Sequence, residues 1–233
     1  YYENGQISEI GSYKNGKEDG KWIGYYENGA INTKRSYKNG ERDGEWIDYY
    51  ENGQISEIGS YKNGERAGEW IRYYDMRYYD DVNDKQDYSQ IESKGSYKNG
   101  KRDGEWIEYY NNGQIRERRN YKNGESDGQR LKYYENGAIK EKRSYKNGHR
   151  YGEWVRYFED GEIERIATFK KDFPEGEALY YYRDGKIKRR GFFKNRSGEQ
   201  IEYYKSGQIE SKGSYKNGER HGKWIRYYEN GQI

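Results

Sequence analysis

Residues 20–44 show the pattern that recurs along the chain. Gly20-Lys21-Trp22-Ile23-Gly24-Tyr25-Tyr26-Glu27 is rich in aromatic and β-branched residues and reads as a strand. Asn28-Gly29 follows, the strongest two-residue hairpin signal, because a type I′ turn needs positive φ at both positions. Ala30 to Lys38 reads as the return strand, and 39–44 as a longer loop into the next unit. A two-residue turn at Asn28-Gly29 pairs Glu27 with Ala30, Tyr26 with Ile31 and Trp22 with Arg35. Side chains alternate between faces, so Trp22, Tyr26, Ile31 and Tyr37 fall together. Lys21, Ile23, Tyr25, Asn32, Lys34 and Ser36 fall on the other face. No segment has a capped helical period, so essentially no helix is expected.

The unit repeats. Tyr-Tyr-x-Asn-Gly starts at 1, 25, 49, 109, 133 and 227, with variants at 73, 157, 181 and 203. Seven of the nine spacings equal the step from 25 to 49. One is longer, with about twelve extra residues between Tyr73 and Gln90, and one is shorter by two, where Asn195-Arg196-Ser197-Gly198 shortens a loop. Insertions and deletions confined to loops mark a stacked array. The expectation is an all-β fold: an elongated, single-layer, twisted antiparallel sheet of stacked β-hairpins, forming one tandem-repeat domain over 1–233. About twenty strands at roughly 4.8 Å would extend on the order of 95 Å. The numbering opens and closes in mid-repeat, as a piece of a longer array would.

Composition fits this sheet better than a thick globule. Leu, Ile, Val and Phe number 28 in 233 residues, while Tyr and Gly number 31 each. Low aliphatic content signals disorder only with high net charge and few aromatics; here the net charge is +3 and six Trp recur at regular places. The absence of Cys removes disulfides and thiolate metal sites. No apolar run approaches the roughly 20 residues that span a bilayer, and no signal segment is visible in the chain.

The unit Gly-x-Tyr-Lys-Asn-Gly-x-x-x-Gly-x-Trp-x-x-Tyr-Tyr-x-Asn-Gly resembles the bacterial variant of the MORN repeat. It is clear at Gly11–Gly29, Gly59–Tyr74, Gly95–Gly113 and Gly213–Gly231. The resemblance implies a single-layered, elongated, twisted sheet with a curved inner groove. Family members act mainly as protein-binding scaffolds, phospholipid binding has been proposed for some, and certain bacterial relatives are labelled antitoxin or immunity proteins of the YwqK type. Fold alone does not fix function.

Catalysis needs a non-repeated constellation of groups, and none is seen. His149 and His221 occupy variable loop positions. Asp19, Asp43, Asp103 and Asp127 precede Gly and suit turns; one Asp per repeat is too sparse for the six to eight oxygens of a calcium site. No catalytic residue, metal site, cofactor or small-molecule substrate is therefore expected.

The expected partner is a protein, lying along the Trp/Tyr face through Trp106, Tyr110, Tyr134, Trp154, Phe158, Tyr182, Tyr204 and Trp224. Charge adds a second set. Residues 1–108 carry 16 basic and 22 acidic groups, and residues 109–233 carry 28 and 19. The basic half holds Arg116, Arg118 and Arg119, then Lys186, Lys188, Arg189 and Arg190, and Arg130 where Trp is otherwise found. Ala178 and Gln200 also interrupt the Trp column. Anionic lipid or nucleic acid is the alternative partner for these cations. Unpaired terminal strand edges suggest a homo-oligomer as another alternative, and neutralisation of a toxin is a further reading. The insertion Asp75–Ser89, with Asp80, Asp81, Asp84 and Asp87, reads as an exposed acidic loop.

Overall fold

A computed structural model describes residues 1–75 and 90–233, so most of the expected acidic loop, including its four aspartates, lies outside the described residues. The described residues contain twenty strands and no helix. By contacts the chain divides into two units, 1–115 with 121–124, and 116–120 with 125–233.

In the first unit, β1 (Glu9–Ile10) pairs with β4 (Gly20–Tyr25), while β2 (Tyr13–Lys14) pairs only with β3 (Lys17–Glu18). From β4 the order follows the chain: β5 (Ile31–Lys38), β6 (Glu41–Tyr49), β7 (Ile55–Lys62), β8 (Glu65–Tyr73), β9 (Ile91–Lys98) and β10 (Lys101–Tyr109). β11 (Ile115–Lys122) is shared between the units by residue. The second unit continues with β12 (Glu125–Tyr133), β13 (Ile139–Lys146), β14 (His149–Tyr157), β15 (Ile163–Lys170) and β16 (Phe173–Tyr181). It ends with β17 (Ile187–Lys194), β18 (Ser197–Tyr203), β19 (Ile209–Lys216) and β20 (Glu219–Arg226). From β4 onward the pairing within each unit is antiparallel between sequence neighbours, which also supply the substantial packing. Each unit is thus a single layer of hairpins.

The expected register holds in the strand bodies: Trp22 pairs with Arg35 and Ile23 with Lys34. The turns are the reverse of expectation. Asn39 (φ 53°) and Gly40 (φ 86°) form the two-residue type I′ turn, closed by the pair Lys38 and Glu41. The segment read as a long loop is strand instead. At Asn28-Gly29 only Gly29 has positive φ, at 83°. There the Gly29 N–H donates to Tyr26 O at 2.9 Å and the Tyr26 N–H to Ala30 O at 2.8 Å. This is a three-residue connection, a turn followed by a left-handed glycine that makes a bulge. The Asn28 side chain supports it by accepting from the Ala30 N–H at 2.9 Å. Tyr25, not Tyr26, consequently pairs with Ile31, and the register shifts between Gly24 and Tyr25. The expected place of the second tyrosine on the Trp face does not follow from this register.

A second irregularity accounts for the shortened spacing. Between β5 and β6 the register runs from Arg35–Trp46 to Tyr37–Arg42, leaving a bulge at Asp43-Gly44-Glu45 with Gly44 at φ 106°. β17 and β18 pair without any shift, from Arg189–Glu202 to Lys194–Ser197. The short unit lacks the bulge rather than part of a loop.

Candidate interaction surface

The tryptophans pack on the preceding strand, across the tight Asn-Gly turn, not on the following strand. Trp106 covers Gly95, where an added Cβ would stand 2.4 Å from the indole Cδ2, and Trp70 covers Gly59 at 2.2 Å. Where that column holds arginine, the guanidinium takes the place beside the ring: Arg35 lies 5.1 Å from Trp46 and Arg143 4.3 Å from Trp154. The ladder's other rings come from the Tyr of the Tyr-Lys-Asn-Gly segment. In the first unit Trp46, Tyr61, Trp70, Tyr97, Trp106 and Tyr121 meet edge to face in succession, with centroids 5.0–6.5 Å apart. In the second, Tyr145, Trp154 and Phe169 form one run, and Phe193, Tyr215 and Trp224 another.

An arginine four residues upstream lies over each of five tryptophans. Arg66 is 3.7 Å from the Trp70 ring, Arg102 4.2 Å from Trp106 and Arg220 4.3 Å from Trp224, with Arg42 over Trp46 and Arg150 over Trp154 at 4.7 and 5.0 Å. Some of these guanidiniums also reach the ladder hydroxyls, Arg102 donating to Tyr121 at 3.1 Å and Arg42 to Tyr61 at 3.3 Å. Trp70 is 2% exposed, and Trp106 and Trp154 7% each. The outer surface of this face is therefore arginine and tyrosine above buried indole. These arginines are absent from the expected site, yet a signal for them exists. Where Trp gives way to Arg130 or Ala178, the residue four upstream is Ser126 or Pro174. Before Gln200, where the bulge is missing, the position paired like Arg66 is Gly198, and Arg196 sits in the tight turn, over the Phe173 ring at 4.3 Å. Among the tryptophans only Trp22 lacks the arginine, with Glu18 in its place.

The second tyrosines act as struts between repeats. Tyr134 donates its hydroxyl to Tyr157 O at 2.8 Å, Tyr182 to Tyr203 O at 2.8 Å and Tyr204 to Tyr227 O at 2.8 Å. Tyr2, Tyr26, Tyr50 and Tyr74 do the same toward Tyr25, Tyr49, Tyr73 and Tyr109. Among the described residues Tyr134, Tyr182 and Tyr204 make no ring contact with the Trp ladder; Lys140 lies over Tyr134 at 5.0 Å and Lys188 over Tyr182 at 5.6 Å. Of the expected aromatic residues, Trp106 and Tyr110 belong to the first unit and the other six to the second. Tyr110 is half-buried.

Several of the expected cations are committed to carboxylates. Arg130 grips Glu117 with both ends of its fork, at 2.6 and 2.8 Å, and the two side chains are 14% and 10% exposed. Burial pushes the Glu117 carboxyl up, but Arg130, Lys132 and Arg119 outweigh it and hold it below its ordinary value. Arg189 pairs with Glu202 and Arg190 with Glu177, both at 2.7 Å. Lys186 donates to Lys205 O at 3.1 Å. Arg119 lies 5.6 Å from the Tyr145 ring, Arg116 is exposed and Arg118 half-buried. The segment 116–119 and the segment 186–190 are thus not one continuous field of unpaired charge.

The loop aspartates have a structural use beyond their own turn. Asp19 and Asp127 accept from the Asn39 and Asn147 N–H groups of the next tight turn, at 3.2 and 3.0 Å. His149 sits 2.6 Å from Asp172, which also accepts from Arg150 N at 2.9 Å. The backbone N–H of Arg150, then the His149 side chain, hold the Asp172 carboxyl down at about 2. Among the described residues no group of three His, Cys, Asp or Glu side chains is placed to hold a metal.

The opposite face carries a regular row. Lys34 pairs with Ile23 and Ile47, Lys94 with Ile71 and Ile107, and Lys142 with Leu131 and Val155. Lysine stems and aliphatic side chains alternate there across the strands.

Antiparallel hairpins that recur at a near-constant interval, each packed on its neighbours and tied to the next by a tyrosine strut, define a hairpin-repeat protein. Nine segments, 1–15, 18–39, 42–63, 102–123, 126–147, 150–171, 174–195, 196–217 and 220–233, match the family model described as MORN repeat variant, and the chain belongs to that family. Repeats of this family generally mediate protein or membrane interactions. No curated protein matches the chain. Among solved structures, a chain of a Photorhabdus luminescens Tc holotoxin pore with a mutation in TccC3 is similar at 10% identity and a TM-score of 0.20, over 85% of this chain and 13% of that one. A chain of a TcdB2-TccC3-Cdc42 crystal structure is similar at 10% identity and a TM-score of 0.20, over 95% and 14%. The present chain thus spans about one seventh of the length of either.

Proposed function

We propose that the protein is a non-enzymatic protein-interaction scaffold and that its contact surface is the arginine-capped tryptophan face. The observation that carries this reading is the repeated stack of guanidinium over indole, closest at Arg66 and Trp70, 3.7 Å. Trp, Tyr and Arg are the residues in which binding energy concentrates at protein interfaces. Here all three recur together in consecutive hairpins of the first unit, at Trp46, Trp70 and Trp106, and again at Trp154 and Trp224 of the second, with their rotamers already fixed by packing. Preorganisation of that kind lowers the entropic cost of association. The single-layer construction supports the reading further, since among the described residues strands pack on their sheet neighbours and form no second layer over the face. Binding of a polyanion receives less support, because Arg130, Arg189 and Arg190 already face carboxylates.

The test uses the intact chain as bait, identifies the retained protein and then measures its affinity for two variants of equal charge. Arg42→Gln with Arg66→Gln and Arg102→Gln strips the caps from three tryptophans. Lys34→Gln with Lys94→Gln and Lys142→Gln removes three charges from the other face. Loss of affinity by tenfold or more in the first variant alone is the expected result. Loss in the second alone would sink the assignment of the face.

A further inference from the structure

Two departures from the repeat meet in one cavity of the second unit. Phe158 stands where the other repeats carry the second tyrosine, and so has no hydroxyl to give the Tyr181 carbonyl. The equivalent carbonyls of Tyr157 and Tyr203 each receive a phenol at 2.8 Å. Among the described residues no side-chain donor takes that role at Tyr181 O. Tyr180 is the other departure, at a position that elsewhere holds Gly, Asp, Glu, Lys or Arg. It pairs across the strands with Arg165 and Arg189, and both guanidiniums lie 5.0 Å from its ring.

Phe158, Tyr180, Tyr181 and Tyr182 line a surface cavity of about 330 Å³, together with Glu164, Arg183, Lys188 and Arg189. The rings give it an aromatic wall, with the Arg183 guanidinium 5.0 Å from the Phe158 ring. Most of its charges are already engaged: Glu164 with Arg156 at 2.8 Å, Arg183 with Asp160 at 3.1 Å and Arg189 with Glu202 at 2.7 Å. Lys188 has no ion-pair partner among the described residues and lies 5.6 Å from the Tyr182 ring. An aromatic wall, a carbonyl lacking the donor its counterparts have, and one uncommitted cation together specify a ligand.

We propose that this cavity binds a hydroxyl-bearing aromatic ring with a nearby negative charge. The ring packs between Phe158 and the tyrosines, its hydroxyl donates to Tyr181 O, and its anionic group meets Lys188. The same chemistry is presented by a free phenolic acid and by a tyrosine flanked by acidic residues on a protein. The site uses none of the tryptophans or their arginine caps, so it stands or falls separately from the scaffold reading.

Calorimetric titration of the whole chain tests it with 4-hydroxybenzoate, benzoate and 4-hydroxybenzamide. One recovered hydrogen bond makes 4-hydroxybenzoate bind roughly tenfold more tightly than benzoate. The neutral amide binds several-fold more weakly than the acid. Phe158→Tyr returns the missing hydroxyl from the protein side, and is expected to reduce 4-hydroxybenzoate binding at least tenfold. That variant restores the residue usual at this position; an unfolding midpoint no lower than that of the parent shows that the loss is not a loss of fold. Binding of benzoate equal to that of the phenol, equal binding of the amide, binding unchanged in Phe158→Tyr, or no binding by any probe would each overturn the proposal. A blocked Asp-Tyr-Glu peptide separates the two sources: tighter binding than 4-hydroxybenzoate identifies a protein tyrosine, and weaker binding a free phenolic acid.

Discussion

The hydroxyl of Tyr134 donates to the carbonyl oxygen of Tyr157, 23 residues later, at 2.8 Å. That bond joins the open turn of one repeat to the strand end of the next. Replacing Tyr134 by Phe removes it and leaves the ring. The expected cost is about 1 kcal/mol, read as a lower urea midpoint with little change in slope. Phe158→Tyr is the converse change and is expected to stabilise by a similar amount. If both variants unfold with the parent, the struts contribute nothing to the array.

Glycine beneath the indole makes a sharper demand. A Cβ on Gly95 would come within 2.4 Å of Trp106 Cδ2, closer than any side-chain adjustment tolerates without moving the ring. Gly95→Ala is expected to destabilise by roughly 1–3 kcal/mol, the usual cost of overpacking. Displacement of the indole from its buried position also shifts tryptophan emission to the red. Unchanged emission together with unchanged stability would show that Trp106 does not rest on Gly95 in solution.

Arg130 and Glu117 replace a tryptophan and its neighbour by a partly buried ion pair. Glu117→Gln leaves Arg130 without its counter-charge and is expected to cost about 2–4 kcal/mol, near the lower end for breaking such a pair from one side. Arg130→Trp alone removes the fork and leaves Glu117 with Lys132 at 3.8 Å. Arg130→Trp combined with Glu117→Ser reproduces the combination at Trp106 with Ser93 and is expected to recover most of the loss, which a double-mutant cycle measures. The folded-state pKa of Glu117 lies below its unfolded value. Its contribution is therefore complete above the ordinary carboxylate range and is lost as pH falls through the depressed value. Glu117→Gln should flatten that acid limb of the stability curve.

Asp172 provides the second pH signature. Its carboxyl titrates at about 2, held down by the Arg150 N–H and by His149. Carbon-13 observation of the side-chain carboxyl is expected to give a midpoint near that value, and an ordinary carboxylate midpoint would contradict the contact. The sign is the same as for Glu117: the stabilisation is present above the unfolded pKa and disappears as pH falls toward 2. In Asp172→Asn this acid-side loss is absent.

The near-constant repeat interval, the two aromatic strands per unit and the pairing of Trp22 with Arg35 follow from the chain's own pattern. Side-chain alternation and regularly spaced Asn-Gly signals act over a few residues, which is why they are readable there. The same local signals left the two kinds of turn undetermined. Asn28-Gly29 and Asn39-Gly40 are the same dipeptide, but in one Asn28 accepts from the Ala30 N–H, while in the other both residues adopt positive φ. What separates them also lies outside the dipeptide: the Tyr26 hydroxyl bonds a carbonyl 23 residues away, and the Asn39 N–H donates to Asp19 in the previous unit.

Exposure was likewise a tertiary matter. A column of tryptophans reads as a sticky surface, yet the rings are covered by arginines four residues upstream and seated on glycines of the preceding strand. Repeats on either side share the tyrosine strut while Phe158 lacks the hydroxyl to form one, a difference visible as a single letter. Only folding brings that letter beside Tyr180, Tyr181 and Lys188, because cross-strand pairing joins residues more than twenty positions apart into one cavity. Local composition thus decided strands and repeat; which groups are covered, paired or left open was decided by contacts between neighbouring repeats.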